Sequence, residues 1–481
     1  MTVVRADRLG RWEAIAIKLR LSLLFAGAVV VALAIASDGP VSKYPRVDAI
    51  FAPDLDAGWI DDQRLALEPW SPEDVPDSGA DAIRAAFALF PSRGAQKDYD
   101  ETSALDWGTA AANGAADAAS DGYASAERMV KAHGDALDEL HNVARRPAEP
   151  IYQPTVPAMT AGVPMLAQAR QLGRVGRMDA LLKCLRGEDS AALERLEDVY
   201  GAGAALSHGD PLSMLSGWAI VDLADSADMS VLARGHVGRA ELLHHARRLR
   251  DARELLGSFT EVLRWQAQFG KVMYDLMATA DEERARDAVF SGMPPEARRM
   301  LDSARETGPP DERGASLSED ELAELRRRVV GQEAWSADRY ARLIEASEKP
   351  LGDQTLRGLL QRAPADEKAR GEGLGAFALL GDVYDRWLAL CARMSGAEAG
   401  CYLRAYKEDH GCYPAALAEL VPEYTNELPM DPWTGTSMLY ASDGAGYKLY
   451  CVGPNLVDDG GKREGKQGLD ADYVVRDVGA R

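Results

Sequence analysis

The sequence predicts a mainly α fold that ends in a small α+β unit. Of its residues, 46% are hydrophobic and only 7% are aromatic, and much of the apolar content is alanine, which favours helices. Apolar residues recur at steps of three or four through the central part of the chain, whereas alternation appears only near the carboxyl end. We therefore expect an N-terminal apolar segment, an irregular multi-helix body and a C-terminal helix packed on a short antiparallel sheet.

The charge balance excludes one class of partner. The 481 residues contain 55 Lys and Arg against 76 Asp and Glu, so the formal net charge is −21. Nucleic-acid binding needs a cationic face that releases counterions from the phosphate backbone. No run of Lys or Arg provides such a face, and we expect no nucleic-acid partner.

Residues 1–36 have the pattern of an export signal. An uncharged apolar run, Leu21–Ala36, follows a stretch rich in Arg and Lys, which keeps the amino end in the cytoplasm. The run is long for a signal-peptide core and short for a membrane span of about 20 residues. We expect residues 1–36 to be a cleaved signal peptide or an uncleaved anchor that holds the protein on the membrane. Both place the rest of the chain outside the cytoplasm, in the cell envelope or periplasm of a bacterium. A buried helix of a soluble domain is the third alternative, but it would make the asymmetry of the basic residues accidental.

Export gives the cysteines near the carboxyl end two interpretations. An oxidising compartment permits disulfides, and four cysteines allow three connectivities. Small buried thiols are the other interpretation. The sequence leaves both open for Cys391, Cys401, Cys412 and Cys451.

Two regions precede the carboxyl-terminal part. Residues 37–157 predict an acidic, proline-rich arm with short helices, for example over 124–143. Residues 158–384 predict a domain of consecutive amphipathic helices. In 241–256, apolar residues form one stripe and several arginines occupy the other positions, which indicates a solvated arginine face.

The helical domain contains no motif of a known catalytic chemistry. The HEXXH, G-x-S-x-G and phosphate-loop patterns are missing. His244 and His245 point about 100° apart on a helix, and we interpret them as surface or boundary residues. We expect no catalytic residue and no enzymatic activity. An exported hydrolase with a site around His208 and Asp210 is the alternative.

The carboxyl-terminal residues carry the most specific pattern. A helix that includes 387–405 ends at Gly411, which is suited to a left-handed C-cap, and Pro414 prevents its continuation. A short helix over 415–421 follows. Strands are predicted over 438–441, 447–452 and 473–475. This order predicts a long helix lying across a small antiparallel sheet.

Short motifs within this region follow one another in a specific order. They are Tyr406, Asp409, Gly411, Tyr413 and Pro414, then Leu420 to Pro422, then Leu-Pro-x-Asp-Pro-Trp-x-Gly at Leu428 to Gly435, then Tyr447, Leu449, Tyr450, Gly453, Asn455, Asp458 and Asp459. Through them, residues 385–481 resemble the carboxy-terminal domain of the major pseudopilin (G-type) of type II secretion systems. The short prepilin leader and the Phe-Thr-Leu-Ile-Glu-like helix of that family are missing. The resemblance therefore implies the fold and not a place in the pseudopilus filament.

The same resemblance implies calcium binding in the acidic loop that follows Gly453. Carboxylates supply the hard oxygen ligands that calcium prefers. Lys and Arg side chains of the loop offer another way to neutralise these acids, so a solvated loop is the alternative. The candidate ligands are Asp459, Asp470 and Asp472.

Together these patterns predict a function without catalysis. We expect an exported or membrane-anchored envelope protein with a pseudopilin-like C-terminal domain. Its partner would be another protein of the cell envelope, in a binding or structural role.

Overall fold

A computed structural model describes residues 99–113, 121–144, 163–208, 211–234, 236–267, 335–369, 376–462 and 472–479. These residues are mainly helical, with one small antiparallel sheet near the carboxyl end. Both features confirm the prediction of a mainly α chain with a short C-terminal sheet. The apolar run 21–36 lies outside them. Within the described ranges, no helix is long and apolar enough to cross a bilayer.

The helices with described bounds are numbered here in chain order. They are α1 Glu101–Ala112, α2 Asp121–Ala132, α3 Gly134–Ala144, α4 Val163–Leu185, α5 Asp189–Leu206, α6 Pro211–Arg234, α7 Arg239–Leu255, α8 Thr355–Ala369 and α9 Ala376–His410. Residues 259–267 and 335–347 are also helical.

Helices α1 to α3 fall in the region predicted as an arm, and they pack on the helical body. Asp100 caps α1, because its carboxylate accepts hydrogen bonds from two backbone N–H groups of the first turn. The pattern over 124–143 corresponds to α2 and α3. Trp107 of α1, Met129 of α2 and Leu140 of α3 are buried in the same hydrophobic core as α4.

Glycines allow the central helices α5 and α6 to cross at short range. A Cβ atom added to Gly203 would lie 2.9 Å from the carbonyl oxygen of Gly217. A Cβ atom on Gly217 would collide with the carbonyl oxygen of Gly203. Helix α6 packs closely on α5 and also contacts α9.

The carboxyl-terminal sheet has three antiparallel strands in the order β1-β2-β3. They are β1 Leu439–Ser442, β2 Tyr447–Cys451 and β3 Tyr473–Val478. Before the sheet, α9 ends at Gly411, whose φ of +77° confirms the predicted left-handed C-cap. The helix predicted over 415–421 is a single 3₁₀ turn, Leu417–Leu420.

The sheet packs on α9, as the order of elements predicted. A Cβ atom on Gly396 of α9 would collide with Val475 of β3, so the absence of a side chain allows the strand to approach the helix. In β2, Tyr447, Leu449 and Cys451 are buried and belong to the hydrophobic core, and Tyr450 on the other face is buried as well. Helix α9 in turn packs on α7 and α6 of the body.

Candidate functional site

The structure describes two of the three predicted calcium ligands, and each of them makes a separate hydrogen bond. Asp472 is buried, and its Oδ2 accepts a hydrogen bond from the N–H of Gly461 at 2.6 Å. Its Oδ1 has no hydrogen-bond partner among the described residues. Asp459 accepts a hydrogen bond from the amide of Asn455 at 2.9 Å, and Asp470 lies outside the described residues. In the part of the chain that is described, no group of three or more His, Cys, Asp or Glu is placed to hold a metal ion.

The ring of His208, the candidate of the hydrolase alternative, is held by the fold. It is 5% exposed. Its Nδ1 lies 2.9 Å from Oε2 of Glu261, and its Nε2 lies 2.6 Å from the carbonyl oxygen of Leu255. Asp210 lies outside the described residues. Both ring nitrogens of His208 are therefore engaged by oxygen atoms of the protein.

The interpretation of the adjacent histidines was wrong for His245. His244 is exposed, but the side chain of His245 is 0% exposed. Position 245 belongs to the apolar stripe of α7, three residues after Leu242 and four before Leu249, and all three side chains are buried. The helical spacing therefore predicts a buried position for His245. The polar residue type had favoured a position at the surface.

His245 carries a positive charge in the interior. Its Nδ1 lies 2.8 Å from Oε1 of Glu197 and its Nε2 lies 3.0 Å from Oδ1 of Asp228. A neutral imidazole has one N–H only, so donation to two carboxylates requires the imidazolium. Complete burial alone would lower the pKa of His245. The hydrogen bonds to Asp228 and Glu197 outweigh burial and raise that pKa to about 9.

Arg476 of β3 brings a second buried cation to the same place. It is 2% exposed, and its Nη2 donates to Oδ1 of Asp225 at 2.5 Å. The same nitrogen lies 3.8 Å from Oδ2 of Asp228. Burial alone would lower the pKa of Arg476, but Asp225 and Asp228 hold it above its ordinary value. Tyr200 donates its hydroxyl to Asp225 at 3.4 Å.

We call this group the buried charge cluster. It joins α5, α6 and α7 of the body to β3 of the sheet. Its members are Glu197, Tyr200, Asp225, Asp228, His245 and Arg476. Two carboxylates from one helix, one imidazolium and one guanidinium fix the position of the strand on the body.

Further polar contacts join body and sheet region. Nη2 of Arg250 lies 2.6 Å from Oε1 of Glu398 on α9, and Arg253 contacts the other oxygen of Glu398 at 3.3 Å. The arginine face of α7 was predicted to be solvated, but these two side chains are half-buried and pair with Glu398 of α9. Gln354 donates its amide to the carbonyl oxygen of Trp433 at 2.7 Å, which ties the Asp-Pro-Trp-x-Gly turn to the body.

A groove of about 210 Å³ lies between α6 and α9 beside this junction. Its rim carries Arg386 and an ion pair between Arg393 and Asp222, at 2.6 Å. Burial raises the pKa of Asp222, and Arg393 opposes this shift. The apolar wall consists of Leu215, Trp218, Ala219, Ala389 and Leu390.

The exposed large hydrophobic side chains of the described residues all belong to the carboxyl-terminal part. They are Val421, Met430, Leu456 and Val457. Leu456 has a φ of +60°, a left-handed conformation that is rare outside glycine. The side-chain oxygen of Asn455 accepts a hydrogen bond from the N–H of Val457 at 3.0 Å. The carboxylate of Asp458 accepts one from the hydroxyl of Tyr450 at 3.2 Å. The loop around Leu456 is therefore held by a hydrogen bond within the loop and by one from Tyr450 of β2.

All five cysteines, each within the described ranges, are free thiols. Cys401 and Cys451 are buried, and burial raises the pKa of both thiols well above the ordinary value. The cysteines were expected to be either disulfide-bonded or small buried thiols. At these two positions the structure has small buried thiols. Cys412 is exposed, and Cys184 and Cys391 are half-buried.

Comparisons of the chain with protein-family models, with curated proteins and with solved structures give no match. The resemblance to the major pseudopilin rests on the order of the sequence motifs.

Proposed function

We propose that the protein is a non-enzymatic component of a bacterial cell envelope, exported or anchored through residues 1–36. In this proposal its pseudopilin-like C-terminal domain, residues 385–481, binds an envelope protein. One observation carries the proposal. The exposed large hydrophobic side chains of the described residues are confined to the C-terminal part, which the buried charge cluster fixes on the helical body.

The environments of two buried histidines, His208 and His245, weigh against a catalytic role for either of them. Catalytic groups with shifted pKa values usually line a cleft that admits a substrate. His245 and Asp228 are 0% exposed, so neither side chain offers an atom to a ligand. The ring nitrogens of His208 face Glu261 and Leu255. These contacts give both histidines a structural role, and they weigh against the hydrolase alternative.

The functional test is capture of an envelope protein by the intact chain. Tagged full-length protein, cross-linked in cells and purified from membranes, should return a reproducible envelope partner. Serine substitution of the exposed apolar residues should reduce capture about tenfold or more, because it removes apolar surface that binding would bury. The variant carries Val421→Ser, Met430→Ser, Leu456→Ser and Val457→Ser.

The matched control replaces exposed polar residues of the body. Asp251→Ser on α7 and Glu345→Ser in the helix 335–347 should leave capture unchanged, since both lie outside the proposed surface. Capture that is equal for the apolar variant and the control, or exclusively cytoplasmic partners, would contradict the proposal.

We further propose that calcium binds the acidic loop through Asp459, Asp470 and Asp472. What supports it is the buried Oδ1 of Asp472, which has no hydrogen-bond partner among the described residues. A buried acceptor without a partner is costly, and a cation bound there would satisfy it. Carboxylates with Asn455 nearby fit the oxygen preference of calcium.

Calcium titration followed by thermal unfolding tests this site. A ligand that binds only the folded state stabilises it by about 2.7 kcal/mol at a hundredfold excess over its Kd. We expect the Tm to rise with calcium in the wild type and not in Asp470→Asn. Asp251→Asn, an exposed control on α7, should keep the rise. A wild-type Tm that is the same with and without millimolar calcium would exclude the site.

A further inference from the structure

We propose that the groove between α6 and α9 binds residues 453–459 of a second copy of this chain. We call this segment the apolar loop. In the calcium-free chain, Leu456 and Val457 enter the groove, and the acidic side chains that follow them face Arg386. The inference rests on the proposed binding function and names one partner for it.

The groove has the chemistry of a site for an apolar segment that carries oxygen acceptors. Its wall includes Trp218 and Leu390, which are buried at the base. The indole Nε1 of Trp218 and the Nε of Arg393 are both buried, and neither has a hydrogen-bond acceptor among the described residues. Unpaired buried donors cost free energy. A chain segment with carbonyl or carboxylate oxygens would satisfy both.

The charge on the rim favours an acidic partner. Arg393 and Asp222 neutralise each other as an ion pair. Arg386 is exposed and adds one positive charge to this rim. The chain as a whole carries a net charge of −21, so this cationic rim is a local exception that attracts carboxylates.

The apolar loop supplies the complementary chemistry. Leu456 is 41% exposed and Val457 is 54% exposed, and Asp458 and Asp459 follow directly. The N–H of Leu456 donates to the carbonyl oxygen of Gly453 at 3.2 Å. These bonds restrict the loop before binding, which reduces the conformational entropy lost when it enters a groove.

Loop and groove lie toward the same end of β3, which permits reciprocal exchange between two copies. Asp472, next to the first residue of β3, accepts a hydrogen bond from Gly461, just after the loop. Arg393 of the groove lies three residues before Gly396 on α9, the glycine that packs against Val475 of β3. A twofold dimer would place each loop in the groove of the other copy, and the contact would close without forming a filament.

Sedimentation velocity of the full-length chain in a mild nonionic detergent, with a calcium chelator, tests the dimer. The wild type should show a concentration-dependent monomer–dimer equilibrium. Leu456→Ser with Val457→Ser should raise the dimer Kd about tenfold or more. The matched control, Val421→Ser with Met430→Ser, removes two other exposed apolar side chains and should leave the Kd unchanged.

Charge reversal gives a stricter test of which surfaces meet. Arg386→Glu and Asp459→Lys should each abolish the homodimer, because like charges then face each other at both contacts. An equimolar mixture of the two variants should restore a dimer, since the heterodimer contains one native and one reversed charge pair.

The outcomes separate this inference from the proposed function. A chain that remains monomeric at all concentrations, or a dimer that is indifferent to both sets of variants, overturns the inference. A chain that is monomeric but still captures an envelope protein overturns the proposed dimer and leaves the proposed function standing. A dimer that captures no envelope protein supports the inference and overturns the proposed envelope partner.

Discussion

At the scale of single residues, His245 shows how charge is kept in a core. Its side chain has no access to water, yet two carboxylates on two different helices hold it as an imidazolium. Arg248 and the exposed His244 approach Glu197 from α7, at 3.8 Å and 4.0 Å. On the other side, Arg476 of β3 approaches Asp228. Charged side chains of α5, α6, α7 and β3 therefore form one interacting group around His245.

The charge on His245 predicts how stability depends on pH. The folded-state pKa is about 9, and an unfolded histidine titrates near pH 6.5. Because the folded pKa is raised, the contribution is complete below about pH 6.5 and is lost as the pH rises through about 9. Urea unfolding across this window should show a decrease of about 3 kcal/mol in the free energy of unfolding.

A matched variant assigns this decrease to His245. His245→Gln cannot gain or lose a proton, so its free energy of unfolding should be lower and should change less between these pH values. A wild type whose stability is constant over the window would show that His245 is neutral in the folded protein.

Removal of Arg476 should destabilise the protein, because its acidic partners would remain buried. Arg476→Met leaves Asp225 and Asp228 buried with one cation fewer, and we expect a loss of about 3–5 kcal/mol in urea unfolding. Arg264→Met is the control, since Arg264 pairs with Glu348 at the surface and should cost at most about 1 kcal/mol. Equal effects of both substitutions would contradict a structural role of the buried charge cluster.

At the scale of elements, the local signals of the sequence were sufficient for the carboxyl-terminal helix and sheet. Gly411 marks the end of α9, and the turn-rich loop before Tyr447 marks the hairpin. These features depend on neighbouring residues only. The pairing of Arg476 with Asp225 joins positions 251 residues apart in the chain. No periodicity or motif in the sequence encodes such a contact. The buried charge cluster and the groove could therefore be identified only from the structure.

The packing of α9 on β3 predicts opposite effects for two glycines of the same helix. Gly396→Ala places a methyl group against Val475 and should destabilise the protein by about 1–3 kcal/mol. At Gly381 an added methyl group meets no atom within 4 Å. Gly381→Ala should stabilise by up to about 1 kcal/mol, because alanine favours the helix. Thermal unfolding with the same sign for both variants would contradict this packing.

At the scale of the whole molecule, the carboxyl-terminal sheet and the helical body share one interior. Tyr447 and Val475 of the sheet belong to the same buried cluster as Leu242 and Leu249 of α7. Polar contacts from Arg250 and Gln354 of the body reinforce this packing. The body thus holds the exposed apolar residues of the sheet region in fixed positions, which is what a binding surface requires.

The central claim is that this surface binds proteins in the cell envelope. Site-specific photo-cross-linking in cells tests it most directly, with the cross-linker placed at position 430 or 457 of the full-length chain. The account predicts cross-links to an envelope protein, and at position 457 also to a second copy of this chain. A cross-linker at Glu345, an exposed position of the body, should give neither. Equal cross-linking from position 345, or no cross-link from positions 430 and 457, would contradict the claim.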